Sequence, residues 1–135
     1  MLQSQNRPDG PYSLTSSGTY TGNSQEYFSG ILGLSVQVVF TYGSGGTSAK
    51  TYLQTSMDQA VTWQDVAAIG MFTTSTTTLL NLSKLTPVTT FRSPTTLALT
   101  TGTANDGVMG DRFRFVTVTV GTYANTTLTM SLVPS

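Results

Sequence analysis

The run Ser56-Met57-Asp58-Gln59-Ala60-Val61-Thr62-Trp63 constrains this chain more than any other stretch. A serine, an aspartate two residues on, a small residue two further, then Thr-Trp is the spacing of a tight β-hairpin turn. An aspartate in such a turn accepts hydrogen bonds from backbone N–H groups just ahead of it and closes the turn from within. The tryptophan then folds back over the hairpin and buries a large ring. Ser56, Asp58, Thr62 and Trp63 therefore form an architectural unit rather than a reactive one, and the unit belongs to β-proteins.

The hydrophobic pattern agrees. Leu34, Val36, Val38 and Phe40 alternate with Ser35, Gln37 and Val39, the period-two signature of a half-buried strand. The same reasoning predicts strands over residues 31–42, 47–57, 61–68, 76–83, 111–120 and 126–133. Residues 88–92 lie between Pro87 and Pro94 and fit only at a sheet edge. Residues 95–100, with Leu97 and Leu99 on one face, read as one more short strand. Gly43-Ser44-Gly45-Gly46 and residues 121–125 read as hairpin loops. No segment sustains a helical period, and no internal repeat suggests a propeller. The expectation is an all-β chain: a single antiparallel β-sandwich, jelly-roll-like, over residues 25–135. Residues 1–24, polar and interrupted by Pro8 and Asp9-Gly10-Pro11, read as an extended N-terminal arm, flexible or ordered by a partner.

Composition narrows function. Only 9% of residues are charged and the net charge is zero, so the chain lacks the charge that usually accompanies disorder. Near-zero net charge instead favours association. Threonine alone supplies about a fifth of the residues, which suits strands. There is no histidine and no cysteine, which excludes Ser-His-Asp triads, Cys-His pairs, and imidazole or thiolate metal sites. The basic residues are dispersed, so no stripe exists to track phosphates and no nucleic-acid partner is expected. Apolar runs fall far short of the roughly 20 residues that cross a bilayer, so no membrane partner is expected. The first residues lack the apolar core of a secretion signal, which predicts synthesis in a host cytoplasm and release by a route such as lysis. Asp106 and Asp111, across a Gly-Val-Met-Gly turn, are the one pair that can suggest calcium or acid–base work. Their place beside a turn and a strand start favours capping instead. No catalytic residue, cofactor or metal is expected, and Asn81-Leu82-Ser83 and Asn125-Thr126-Thr127 match the glycosylation pattern by chance.

Three separated blocks stand in order: Tyr52-Leu53-Gln54-Thr55-Ser56-Met57-Asp58 leading to Thr62-Trp63-Gln64-Asp65-Val66-Ala67, then Asn105-Asp106-Gly107-Val108-Met109-Gly110-Asp111-Arg112-Phe113-Arg114, then Gly121-Thr122-Tyr123. Together they resemble a group of small tailed-bacteriophage and prophage virion structural proteins, over about residues 30–133. The turn itself is similar to the Asp-box, with Ala60 where glycine is usual. Alanine is strained there if the position needs a positive φ. The resemblance implies a virion component. The leading expectation is a capsid decoration protein that binds the major capsid protein, self-associates as a homo-trimer and stabilises the assembled shell. Candidate partner-binding residues are Tyr12, Leu14, Tyr20, Tyr27 and Phe28, with Arg112 and Arg114 on the strand face opposite Phe113 and Phe115. One alternative is a tail, neck or fibre-base component. Another is a carbohydrate-binding module that stacks sugars on Trp63, Tyr42, Tyr52 or Tyr123.

Overall fold

The alternating pattern becomes two antiparallel sheets packed face to face in a computed structural model that describes residues 6–135. The strands are β1 (Arg7–Leu14), β2 (Gly18–Thr21), β3 (Gly33–Thr41), β4 (Ser44–Gly45), β5 (Ser48–Ser56), β6 (Gln64–Met71), β7 (Thr76–Ser83), β8 (Thr103–Ala104), β9 (Arg112–Val120), β10 (Tyr123–Ala124) and β11 (Thr126–Pro134). Among the described residues there is no helix. One sheet has the order β1-β11-β3-β7, the other β2-β9-β5-β6-β8. Leu34, Val36, Val38 and Phe40 of β3 and Leu128, Met130 and Leu132 of β11 face inward from the first sheet. They share one core with Leu53, Ile69, Phe113 and Phe115 of the second. Each such side chain contributes about 1.5–3 kcal/mol of burial. The fold is the expected all-β sandwich.

The connections differ from the expectation. Among the described strands longer than two residues, only β5 and β6, joined by the Ser56–Trp63 turn, form a hairpin within one sheet. The glycine-rich residues 43–46 and residues 121–125 are not hairpin loops. They carry the chain from β3 across to β5 and from β9 across to β11. The two crossings are stitched to each other where β4 pairs with β10. Gly43 makes this possible, since a β-carbon there would overlap the carbonyl oxygen of Ala124. Tyr123 plugs this end of the sandwich. It is buried edge-on against Phe40 and Tyr42 and donates its hydroxyl to the Phe72 carbonyl at 2.9 Å.

The expected arm is also corrected. Residues 7–14 pair with β11 and residues 18–21 with β9, so this part of the chain supplies an edge strand to each sheet. The arm's first five residues lie outside the described residues. Polar composition misled here because an edge strand is held largely by ladder hydrogen bonds, which any side chain permits. Residues 88–92 and 95–100 are not strands either. They belong to a long connection, residues 84–102, between β7 and β8.

Candidate functional site

The turn after β5 is built as its spacing requires. The Ser56 hydroxyl donates to Asp58 Oδ1 at 2.9 Å and accepts from the Ala60 N–H at 2.8 Å. Asp58 accepts the Thr62 N–H at 2.8 Å and the Thr62 hydroxyl at 2.6 Å. Those bonds, the Thr62 hydroxyl first, hold the Asp58 carboxyl below its ordinary range. Gln59 and Ala60 both take positive φ, 58° and 70°, so Ala60 does occupy a left-handed position.

Trp63 is half-buried, outside the core cluster. It lies against the outer face of the second sheet, where the Arg114 guanidinium stacks over its ring at 4.4 Å. Arg114 also donates through Nε to Gln54 Oε1 at 2.9 Å, and Gln54 donates through Nε2 to Asp65 Oδ1 at 2.9 Å. Burial pushes Arg114 below its ordinary pKa. Gln54 is fully buried and Asp65 is 4% exposed, although both lie on the side of the sheet away from the core.

What covers them is the long connection. Asp65 accepts the backbone N–H groups of Leu97, Ala98 and Leu99 at 2.9, 2.9 and 3.1 Å, and the Thr95 hydroxyl at 3.3 Å. Its own N–H donates to the Thr95 carbonyl at 2.8 Å. Three successive N–H groups converging on one carboxylate form a concave cradle that fixes the loop. Asp106 fixes the other part: it accepts the Ser83 N–H at 2.7 Å, the Gly107 N–H at 2.9 Å and the Thr86 hydroxyl at 3.1 Å. Arg92 donates to the Asp106 carbonyl at 2.9 Å. Between the two pins lies an open cleft of about 310 Å³, bordered by Gln64, Val88, Phe91, Arg92 and Val108. Phe91 stands fully exposed at its rim, and Leu85 is 70% exposed on the same connection.

The next segment, between β8 and β9, is fixed as well. The Thr55 hydroxyl accepts the Gly110 N–H and donates to the Arg112 carbonyl, both at 2.9 Å. Gly110 approaches so closely that a β-carbon would overlap the Ser56 carbonyl oxygen. A long, structureless connection is usually functional or disordered. This one is ordered by two carboxylates and presents apolar groups to solvent.

The candidate partner-binding residues fare unequally. Leu14 and Phe28 are core residues, 1% and 0% exposed, so neither is a docking group. Phe28 packs edge-on against Phe113 at 4.9 Å, with Arg7 over its ring. Tyr12 and Tyr20 are half-buried and bonded locally, to Asp9 and to Thr15 and Ser16. Tyr27 alone is open, at 79% exposure. Arg112 is committed to an ion pair with Glu26 and Arg114 to Gln54 and Trp63, so neither is a free polar contact. A sugar platform is likewise contradicted at Tyr52 and Tyr123, which are buried, and on the Trp63 face that Arg114 covers. Among the described residues no three His, Cys, Asp or Glu side chains gather as metal ligands.

Asp65 was not among the residues expected to matter. Its signal in the sequence is a lone carboxylate opening the apolar run Asp65-Val66-Ala67-Ala68-Ile69, where a charge has to be paid for by bonds. No family model, curated protein or solved structure matches this chain.

Proposed function

We propose that the chain is a non-catalytic structural protein of a phage-type virion, most simply a capsid decoration protein that binds the outer shell. The observation that carries this reading is the connection from residue 84 to residue 102. It is locked by Asp65 and Asp106 yet holds Phe91 and Leu85 in solvent. A loop already ordered loses little entropy on docking, so its apolar rim is available to a protein surface at low cost. The sandwich adds support by analogy. Leaving out the two-residue strands, one sheet holds the first, eighth, third and sixth, the other the second, seventh, fourth and fifth. We read that interleaving as a jelly-roll winding, an architecture that viral capsid domains use. Binding to an assembled shell but not to free subunits stabilises the shell by linkage.

Immunogold electron microscopy of particles from the source culture, with antibody to this chain, tests the reading. Gold over the whole head is expected. Gold confined to the neck or tail moves the protein to a connector or fibre base. Particles without gold overturn the virion reading. On labelled particles, Phe91→Asp should abolish rebinding to stripped heads while leaving the fold intact.

A further inference from the structure

The sheet edges are not equally protected. The edge strand β1 carries Pro8, Pro11, the buried Asp9 and a register break between Asp9 and Tyr12. The edges of the second sheet are the short β2 and the two-residue β8. Among the described residues only β7 is a long, regular edge. Its sequence, Thr76-Thr77-Thr78-Leu79-Leu80-Asn81-Leu82-Ser83, holds no charge, no proline and no glycine. Such an edge is a template for another strand unless something blocks it.

The register shows which of its groups are free. The Lys84 N–H donates to the Leu32 carbonyl, and Leu34↔Leu82, Val36↔Leu80 and Val38↔Thr78 continue the ladder. In an antiparallel pair the peptide groups alternate in direction. The N–H and C=O of Thr77, Leu79 and Asn81 therefore point away from β3. Ser83 points the same way, and its N–H is capped by the Asp106 carboxylate. Among the described residues nothing else pairs with this edge.

We infer that β7 is a homodimerisation edge: a second copy of this chain adds its own β7, antiparallel, about a twofold axis at Leu79. The free run from 77 to 81 is symmetric about 79. Thr77 faces the partner's Asn81 and Leu79 faces the partner's Leu79, so every free peptide group finds a mate. Asp106 ends the ladder at the same point on both copies. On the outer face the pairing covers Leu79, 70% exposed in the single chain. On the inner face the partner's Leu80 and Thr78 lie over an apolar cleft of about 370 Å³ lined by Ala67, Ile69 and Thr101. A strand without charge, on a chain of zero net charge, meets no repulsion from its copy. Because the opposite edge of the sheet is guarded, addition stops at two copies rather than growing into a fibre. The twofold differs from the homo-trimer of the leading expectation, and the inference stands apart from what the loop at Phe91 binds.

Sedimentation equilibrium of the full chain tests it. The expected mass is twice the 14.3 kDa of one chain. Leu79→Lys and Leu79→Glu each put like charges opposite one another at the axis, and each should weaken the dimer about tenfold or more. An equimolar mixture of the two should restore it, because position 79 pairs with itself. Circular dichroism confirms that both variants stay folded. Leu79→Pro removes one outward N–H without touching the ladder to β3, and it should also give monomer. A monomeric wild type, a trimer, or a mixture that fails to re-associate overturns the inference.

Discussion

The Arg114 guanidinium lies 4.4 Å above the centroid of the Trp63 ring while its Nε holds Gln54 Oε1 at 2.9 Å. One side chain thus ties the end of the turn to the buried polar chain leading to Asp65. Arg114→Ala removes the stacking, worth about 0.5–2 kcal/mol. It also leaves the buried Gln54 oxygen without its donor, which costs about 1–3 kcal/mol. The expected net loss is about 2 kcal/mol in urea unfolding. Trp63 is the single tryptophan, so its emission should shift to the red in the folded variant. An unshifted spectrum would show that the stacking is not maintained in solution.

Asp65 determines the order of the connection above it. Asp65→Ala strips three backbone N–H groups and the Thr95 hydroxyl of their acceptor, and it frees Gln54 Nε2. The expected cost is about 2–4 kcal/mol, since bonds to a charged acceptor are the strong ones. The loss should be local first. Amide exchange at residues 97–99 should accelerate far more than in β3 or β11, and limited proteolysis should cut within residues 84–102. Uniform acceleration across the sandwich would contradict a local role.

What the sequence discloses and hides follows from what alternation encodes. Period two says which side of a sheet a residue faces, so the inward placement of Leu34, Val36, Val38, Phe40, Phe113 and Phe115 was legible. It does not say which sheet the next strand joins. A glycine-rich loop between two alternating runs reads the same whether the chain turns back or crosses over, and residues 43–46 and 121–125 cross. The same blindness hid β1, whose ladder to β11 brings only Leu14 and the half-buried Tyr12 as apolar side chains to the core. It also made a strand of Leu97 and Leu99, whose backbone is turned toward Asp65 by N–H bonds at 2.9 and 3.1 Å. The turn motif was legible because all its bonds are local. The loop site was not, because Asp65 and the N–H groups it holds lie some thirty positions apart.

Ala60 sits at φ 70° in the turn between β5 and β6. A residue with a β-carbon pays about 1–2 kcal/mol for that conformation. Glycine escapes this but loses about 0.4–1 kcal/mol through the freedom of its unfolded chain. Ala60→Gly should therefore stabilise by about 0.5–1 kcal/mol, raising Tm by about 2–4 °C. The Ser56 hydroxyl bond to the residue-60 N–H is unaffected by the change. A lowered Tm in scanning calorimetry would mean that the Ala60 methyl makes a compensating contact.

Tyr12 gives the fold an alkaline limit. Its hydroxyl donates to Asp9 Oδ1 at 2.5 Å, and burial, reinforced by the Asp9 carboxylate, pushes its pKa up to about 12. The unfolded chain titrates tyrosine near 10. Between those values the native state binds the proton more tightly than the unfolded state does, so stability falls as pH rises. The Tyr12 contribution is fully present below about pH 10 and is lost as pH climbs toward about 12. Tyr12→Phe should be less stable at pH 7 because it strips the buried Asp9 of its one donor among the described residues, where Asp9 Oδ2 already has none. Above about pH 10 the gap should close. Tyr52 and Tyr123 are also raised by burial, but they titrate equally in both proteins and cancel in the difference. Urea midpoints taken from pH 7 to 11 check this. Parallel curves for the two proteins would show that the Tyr12 hydroxyl does not hold its proton through Asp9.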